Sequence, residues 1–193
     1  LSSVGKLDME VLNFIKKSFN TEIINHDSKF PFTNLYTTPK TLGIDRMVLA
    51  AGAVLKYPNQ NRLVIDAGTC ITYDFIDENN NYLGGAISPG IKIRYKSLND
   101  YTSNLPLLEK KNIELFIGNS TENSIHSGII NGICYEIDGF ISQYSLKNQD
   151  LTIILTGGDA DFLAKRLKST IFANSNFLLE SLNTLSIYLN END

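Results

Sequence analysis

Residues 8–19 carry Met9, Leu12, Ile15 and Phe19 at intervals of three to four, behind Asp8 as a cap, and this spacing predicts an amphipathic helix. Residues 22–26 read as a short strand, and 30–42, with Pro31 and Pro39, as irregular chain. Small and apolar side chains over 47–57, preceded by Asp45 and stopped by Pro58, predict a packed helix. Residues 63–66, 69–77 and 82–87 then read as three consecutive strands, joined through Ala67-Gly68 and the run Asn79-Asn80-Asn81. A three-stranded antiparallel meander is expected, followed by a short helix over 91–98. Ile125, Ile129, Ile133, Ile137 and Ile141 fall every four residues along 120–146, the longest helical pattern. That stripe predicts core or a subunit interface, with Gly128 and Gly132 beside it open to a close backbone approach. Residues 151–155 form a continuous apolar run, the mark of a buried strand. A helix over 162–167, a strand over 177–179 and a helix over 182–189 complete the pattern. The fold class is α/β.

Composition narrows the classes of function. Of 193 residues, 42% are hydrophobic and 20% charged, which excludes a disordered chain. Lys and Arg number 17 against 21 Asp and Glu, a net charge of −4, so a nucleic-acid partner loses weight. The longest nearly apolar run, 47–55, is far short of the roughly 20 residues that cross a bilayer as a helix. Two cysteines, Cys70 and Cys134, form neither a CxxC pair nor a disulfide framework, as expected of a reducing cytosol. With only two histidines, His26 and His126, a zinc site is not expected. The chain opens on Leu1, and residues 1–6 read like the middle of a longer sequence.

Two loops carry candidate chemistry. Gly43-Ile44-Asp45-Arg46 stands before a helix. Asp45 reads as the helix cap, with Arg46 a solvated first-turn residue. It also reads as a carboxylate beside a guanidinium, able to take a hydroxyl proton and grip an anion. Asp66-Ala67-Gly68-Thr69 lies between two strands. It reads as a tight hairpin. It also reads as a phosphate-and-cation turn, in which bare backbone N–H groups and the Thr69 hydroxyl meet an anion and Asp66 a cation. No GxxxxGK[ST] loop exists in the chain. Bland roles are expected for His126 (surface or interface), Lys110-Lys111 (solvated loop), Asp77-Glu78 (turn) and Cys70 (core).

Several segments together resemble type III pantothenate kinases. They are Tyr36 and Pro39 with Leu42-Gly43-Ile44-Asp45-Arg46; Asp66-Ala67-Gly68-Thr69-Cys70-Ile71-Thr72; and Gly84-Gly85-Ala86-Ile87-Ser88-Pro89-Gly90. Ser97-Leu98 with Leu105-Pro106, Gly118-Asn119-Ser120-Thr121 with Gly128, and Thr156-Gly157-Gly158-Asp159-Ala160 follow in the family's order. The resemblance runs from Tyr36 to about Leu189. It implies the superfamily of actin, sugar kinases and chaperone ATPases: two RNase H-like lobes around a nucleotide cleft, the first lobe incomplete here. Residues 1–58 would be the remainder of the N-terminal lobe and 59–193 the C-terminal lobe. The implied activity is ATP-dependent phosphorylation of pantothenate to 4'-phosphopantothenate, the first step of coenzyme A biosynthesis. It comes with Mg²⁺, a monovalent cation (K⁺ or NH₄⁺), a cytoplasmic homodimer, and neither nucleic acid nor membrane as partner.

By the same resemblance Asp45 is the proton acceptor. Gly43, Ile44, Asp45 and Arg46, with Tyr36, bind pantothenate, and Thr121 binds substrate near the dimer interface. Asp66 is the monovalent-cation ligand and Thr69 an ATP contact, while Gly157 and Gly158 approach the adenosine. Arg46 would pair with either the carboxylate or an amide oxygen of pantothenate. One departure stands out: the family's Asp-x-Gly-Asn-Thr phosphate loop, which holds Mg²⁺ and the ATP phosphates, is absent from this sequence. The alternative reading is therefore a non-catalytic binding or regulatory member of the family. Another kinase of the superfamily and a glycosidase with paired carboxylates stand behind it.

Overall fold

A computed structural model describes residues 8–19, 21–148 and 150–192 of the chain. Six strands make one mixed sheet: β1 (Thr33–Asn34), β2 (Asn61–Ala67), β3 (Cys70–Ile76), β4 (Asn81–Pro89), β5 (Leu151–Thr156) and β6 (Phe172–Ala173). Their spatial order is β1-β4-β3-β2-β5-β6. The predicted meander is present, since β3 pairs antiparallel with both β2 and β4. Beyond it β5 joins β2, and β6 joins β5, in parallel, and β1 lies parallel to β4 on the other edge.

Helices cover both faces, as a sheet buried on two sides requires. They are α2 (Ile44–Lys56), α3 (Ile91–Asp100), α4 (Thr121–Lys147), α5 (Ala160–Ala164) and α6 (Phe177–Asn192), while α1 (Met9–Ser18) buries no residue against the sheet. One face packs α2 and α6 on Val64, Ile76, Tyr82 and Ile154. The other packs α3, α4 and α5 on Leu63, Ile65, Tyr73, Ile153 and Leu155. Alternation along β2 sorts the two sets, with Leu63, Ile65 and Ala67 to one side and Val64 to the other. Residues on both sides of position 58 contribute to the α2/α6 cluster.

All five isoleucines of the long stripe are buried in this chain's own core. Within the described residues nothing lies within 4 Å of a side chain added at Gly128 or Gly132, so no backbone approaches there. Several expectations change. Residues 22–26 make no strand. The 30–42 stretch holds β1 and a turn of 3₁₀ helix, Pro39–Thr41. Residues 177–179 begin α6 rather than form a strand, because the Asn174 side chain accepts from the Asn176 N–H at 3.0 Å and turns the chain into the helix. A short apolar run does not itself distinguish the two. His126 is buried rather than exposed, its Nδ1 2.6 Å from the Tyr95 hydroxyl. Cys70 is exposed rather than core. Lys110 is not a purely solvated residue, since it pairs with Asp159 and sits 5.5 Å over the Phe162 ring. No helix among the described residues is long and apolar enough to cross a membrane.

Candidate active site

The first turn of α2 sits at the edge of the sheet face that α2 covers. Gly43, not Asp45, is its N-cap and offers no side-chain hydrogen bond. Asp45 lies one turn position inside, where a carboxylate suits the positive end of the helix dipole. Its Oδ1 accepts the Arg46 backbone N–H at 2.9 Å. Among the described residues Oδ2 accepts nothing, so one oxygen of the group is free for chemistry. Ile44 is buried and anchors the turn in the core.

Arg46 points inward and is only 6% exposed. Its Nε and Nη2 meet Asp74 Oδ1 at 2.8 and 2.7 Å. Asp74 is wholly buried on β3. Tyr82 of β4 donates its hydroxyl to Asp74 Oδ1 at 2.5 Å, and Thr72 donates to Oδ2 at 3.1 Å. Only donors face the carboxylate, the environment of its ionised form. Burial pushes the Asp74 carboxyl above its usual value, while Arg46, Tyr82 and Thr72 pull against that shift. Burial likewise works against the Arg46 charge, but Asp74 outweighs it and the guanidinium is held more firmly protonated. The Tyr36 ring lies 5.9 Å from the Arg46 guanidinium carbon and edge-on to Tyr82 at 6.1 Å. Gly84, at φ +100°, makes room for that ring, since a side chain there would press on Tyr36.

Asp66 lies near the end of β2 on the same face. Burial raises its pKa to about 6, and the charges of Asp45 and Asp74 add to the rise. A side chain on Gly157, at φ +93°, would overlap the Asp66 Oδ1 and the Ala67 carbonyl oxygen, so the loop after β5 closes directly on Asp66. Thr156, paired with Asp66 across β2 and β5, keeps a buried hydroxyl without a partner. A crowded carboxylate beside an orphaned hydroxyl and a backbone carbonyl fits an all-oxygen site for a hard monovalent cation. No group of three or more His, Cys, Asp or Glu able to hold a metal is found among the described residues.

The structure thus brings Tyr36, Gly43, Ile44, Asp45, Arg46, Asp66 and Gly157 to one corner of one face. Thr69 is exposed in the turn between β2 and β3, next to them. Thr121 is not part of this group. It opens α4 on the other face and lines a cavity of about 680 Å³ with Arg94, Ser97, Leu98 and Leu105. Sequence reasoning missed Asp74, Thr72 and Tyr82. Their signal was present, because a Thr-x-Asp alternation inside an apolar strand places a charge on a buried face. Only the fold supplies Arg46 as its partner.

The family model described as Type III pantothenate kinase matches residues 1–143. A protein of Flavobacterium johnsoniae named Type III pantothenate kinase is 60% identical over the whole chain, which covers 79% of that relative. A second, from Flavobacterium psychrophilum and of the same name, is 57% identical over 97% of the chain and 78% of its own length. A crystal structure of a Baf family transcriptional activator from Campylobacter jejuni superposes with a TM-score of 0.65. It is 24% identical and covers 97% of this chain and 81% of that one, a likeness of fold alone. On the family model and these relatives, the chain belongs to the type III pantothenate kinase family.

Proposed function

We propose that this protein transfers the γ-phosphoryl group of ATP to the terminal hydroxyl of pantothenate, giving 4'-phosphopantothenate and ADP in the first step of coenzyme A biosynthesis. Family membership supports the reaction. The observation that carries the residue roles is the pair at the start of α2: a carboxylate with one free oxygen beside a guanidinium fixed from behind. Close relatives bear the kinase name, and they do not favour the binding-protein alternative.

In this reading pantothenate lies against Tyr36 and the 43–46 turn, with Arg46 gripping an oxygen of the substrate. Asp45 Oδ2 takes the proton as the hydroxyl oxygen bonds to the γ-phosphorus, and the bond from that phosphorus to the bridging oxygen of ADP breaks. Thr69 contacts ATP, and Gly157 and Gly158 leave the backbone bare toward the adenosine. Asp66, with Thr156 beside it, would hold K⁺ or NH₄⁺. Such a cation, together with Mg²⁺, neutralises charge on the transferring phosphates when bound. In this reading residues 1–58 are the remainder of the N-terminal RNase H-like lobe and 59–193 the C-terminal lobe, with β1 and α2 packed into the sheet and core of the second. Thr121, remote from Asp45 within one chain, serves substrate in a homodimer. Free Cys70 and Cys134 suit the reducing cytoplasm.

The test incubates the intact protein with ATP, Mg²⁺, K⁺ and pantothenate and follows the product by mass. A product heavier than pantothenate by one phosphoryl group, formed more slowly when Na⁺ replaces K⁺, is the expected result. No phosphorylated product overturns the reading, and equal rates in the two salts remove Asp66 from its role.

A further inference from the structure

We infer that Asp74 is a positioning residue for substrate recognition, which acts by fixing the direction in which Arg46 presents its remaining N–H edge; this rests on the pantothenate reading above. Asp74 takes one whole edge of the guanidinium, Nε at 2.8 Å and Nη2 at 2.7 Å. A planar guanidinium held on one edge can turn its other edge in only one direction. Beyond Asp74, the guanidinium has the Tyr36 side chain as a further partner, and the Tyr36 ring lies 5.9 Å from its central carbon. Tyr36 is itself a wall of the corner that holds Asp45, so the edge left by Asp74 is turned toward that corner.

Asp74 cannot rotate to follow a moving arginine. The Tyr82 hydroxyl on one oxygen and the Thr72 hydroxyl on the other pin it from two strands. Tyr82 in turn stacks edge-on against Tyr36, the second wall of the same corner. A wholly buried carboxylate does not touch substrate itself, so its effect on recognition passes through Arg46. A carboxylate-to-amide change at Asp74 keeps the shape but removes the charge and one acceptor. Arg46 then loses its fixed direction while its own chemistry is unchanged.

The experiment is a steady-state comparison in the intact enzyme, with KM measured for pantothenate and for ATP separately. Asp74→Asn is expected to raise KM for pantothenate by about tenfold to a hundredfold, as displaced positioning groups do, while KM for ATP stays within about twofold. In an Arg46→Lys background, which cannot form the two-point grip, the same Asp74 change is expected to add less than its effect alone. Tyr82→Phe removes one donor without removing a charge. It should shift KM for pantothenate in the same direction by a smaller factor, and it decides the matter if Asp74→Asn does not fold. Equal changes in both KM values, an unchanged KM for pantothenate in a folded variant, or fully multiplicative effects with Arg46→Lys would each overturn the inference. Wild-type enzyme that fails to phosphorylate pantothenate fails the functional reading first, and the inference falls with it.

Discussion

Each face of the sheet sets a carboxylate among the same three kinds of partner. Under α2, Asp74 accepts from Arg46, Tyr82 and Thr72. On α4, Glu136 accepts from Tyr73 at 3.0 Å, Ser88 at 2.5 Å and Arg94 at 2.6 Å. In both sets β3 and β4 each supply a hydroxyl and a helix supplies the arginine. What differs is water. The Arg46–Asp74 side chains are 8% and 0% exposed, against 21% and 25% for Arg94–Glu136. Burial raises the pKa of both acids, but at Glu136 the donors win and the group ends below its usual value, whereas Asp74 ends above. The same chemistry is thus a clamp tying α3 and α4 to the sheet on one face, and on the other a sealed support for an arginine that faces a site.

The largest contrast should come from deleting each acid. Asp74→Ala leaves a buried guanidinium unpaired and should destabilise by about 3–5 kcal/mol in urea unfolding. Glu136→Ala leaves Arg94 able to reach water, and about 1–3 kcal/mol is expected. Equal losses would erase the distinction between the two faces. Gly157→Ala tests the site corner on the α2 face. Its left-handed backbone and the crowding on Asp66 should cost more than about 1 kcal/mol, whereas Gly132→Ala, in open space on α4, should be neutral or stabilising.

Acid titration separates the faces by sign. The Asp66 pKa is raised to about 6, so the folded state holds its proton more tightly than the unfolded chain. That contribution is fully present below the unfolded value near 3.8 and is lost as pH rises through about 6. Glu136 is lowered, so its contribution is present above 4.5 and is lost as pH falls through its folded value. In a cation-free buffer, Asp66→Asn should remove a decline on the order of 1–2 kcal/mol between about pH 4 and 6. Glu136→Gln should instead flatten the loss at lower pH. The same sign for both substitutions would contradict the account. The smallest effect is expected at Lys56–Glu180, where α2 meets α6 in the open at 3.0 Å, both side chains about half exposed. Glu180→Gln should leave the urea midpoint unchanged.

Much of this architecture is legible in residue order. The meander follows from three strand-like runs joined by turn residues, the isoleucine stripe of α4 from a helical repeat, and β5 from a continuous apolar run, all local signals. The edge strands β1 and β6 are two residues each and leave no periodic trace in the sequence, while the apolar start of α6 at 177–179 has the same local pattern as a strand. The site divides the same way. Asp45, Arg46 and Asp66 stand out because they sit at the ends of α2 and β2 beside glycines, in segments that carry the family resemblance. Asp74 sits in a strand and is explained only by Arg46, 28 residues earlier, across the α2–sheet packing. His126 looked like a surface residue because its partner, Tyr95, is on another helix.

The most direct test of the account is the rate of phosphoryl transfer by Asp45→Asn, with pantothenate affinity measured alongside. Loss of the base should lower kcat by about 10²–10⁴ and leave the affinity and the urea midpoint close to wild type. A fall of less than tenfold with affinity intact would show that Asp45 does not take the proton.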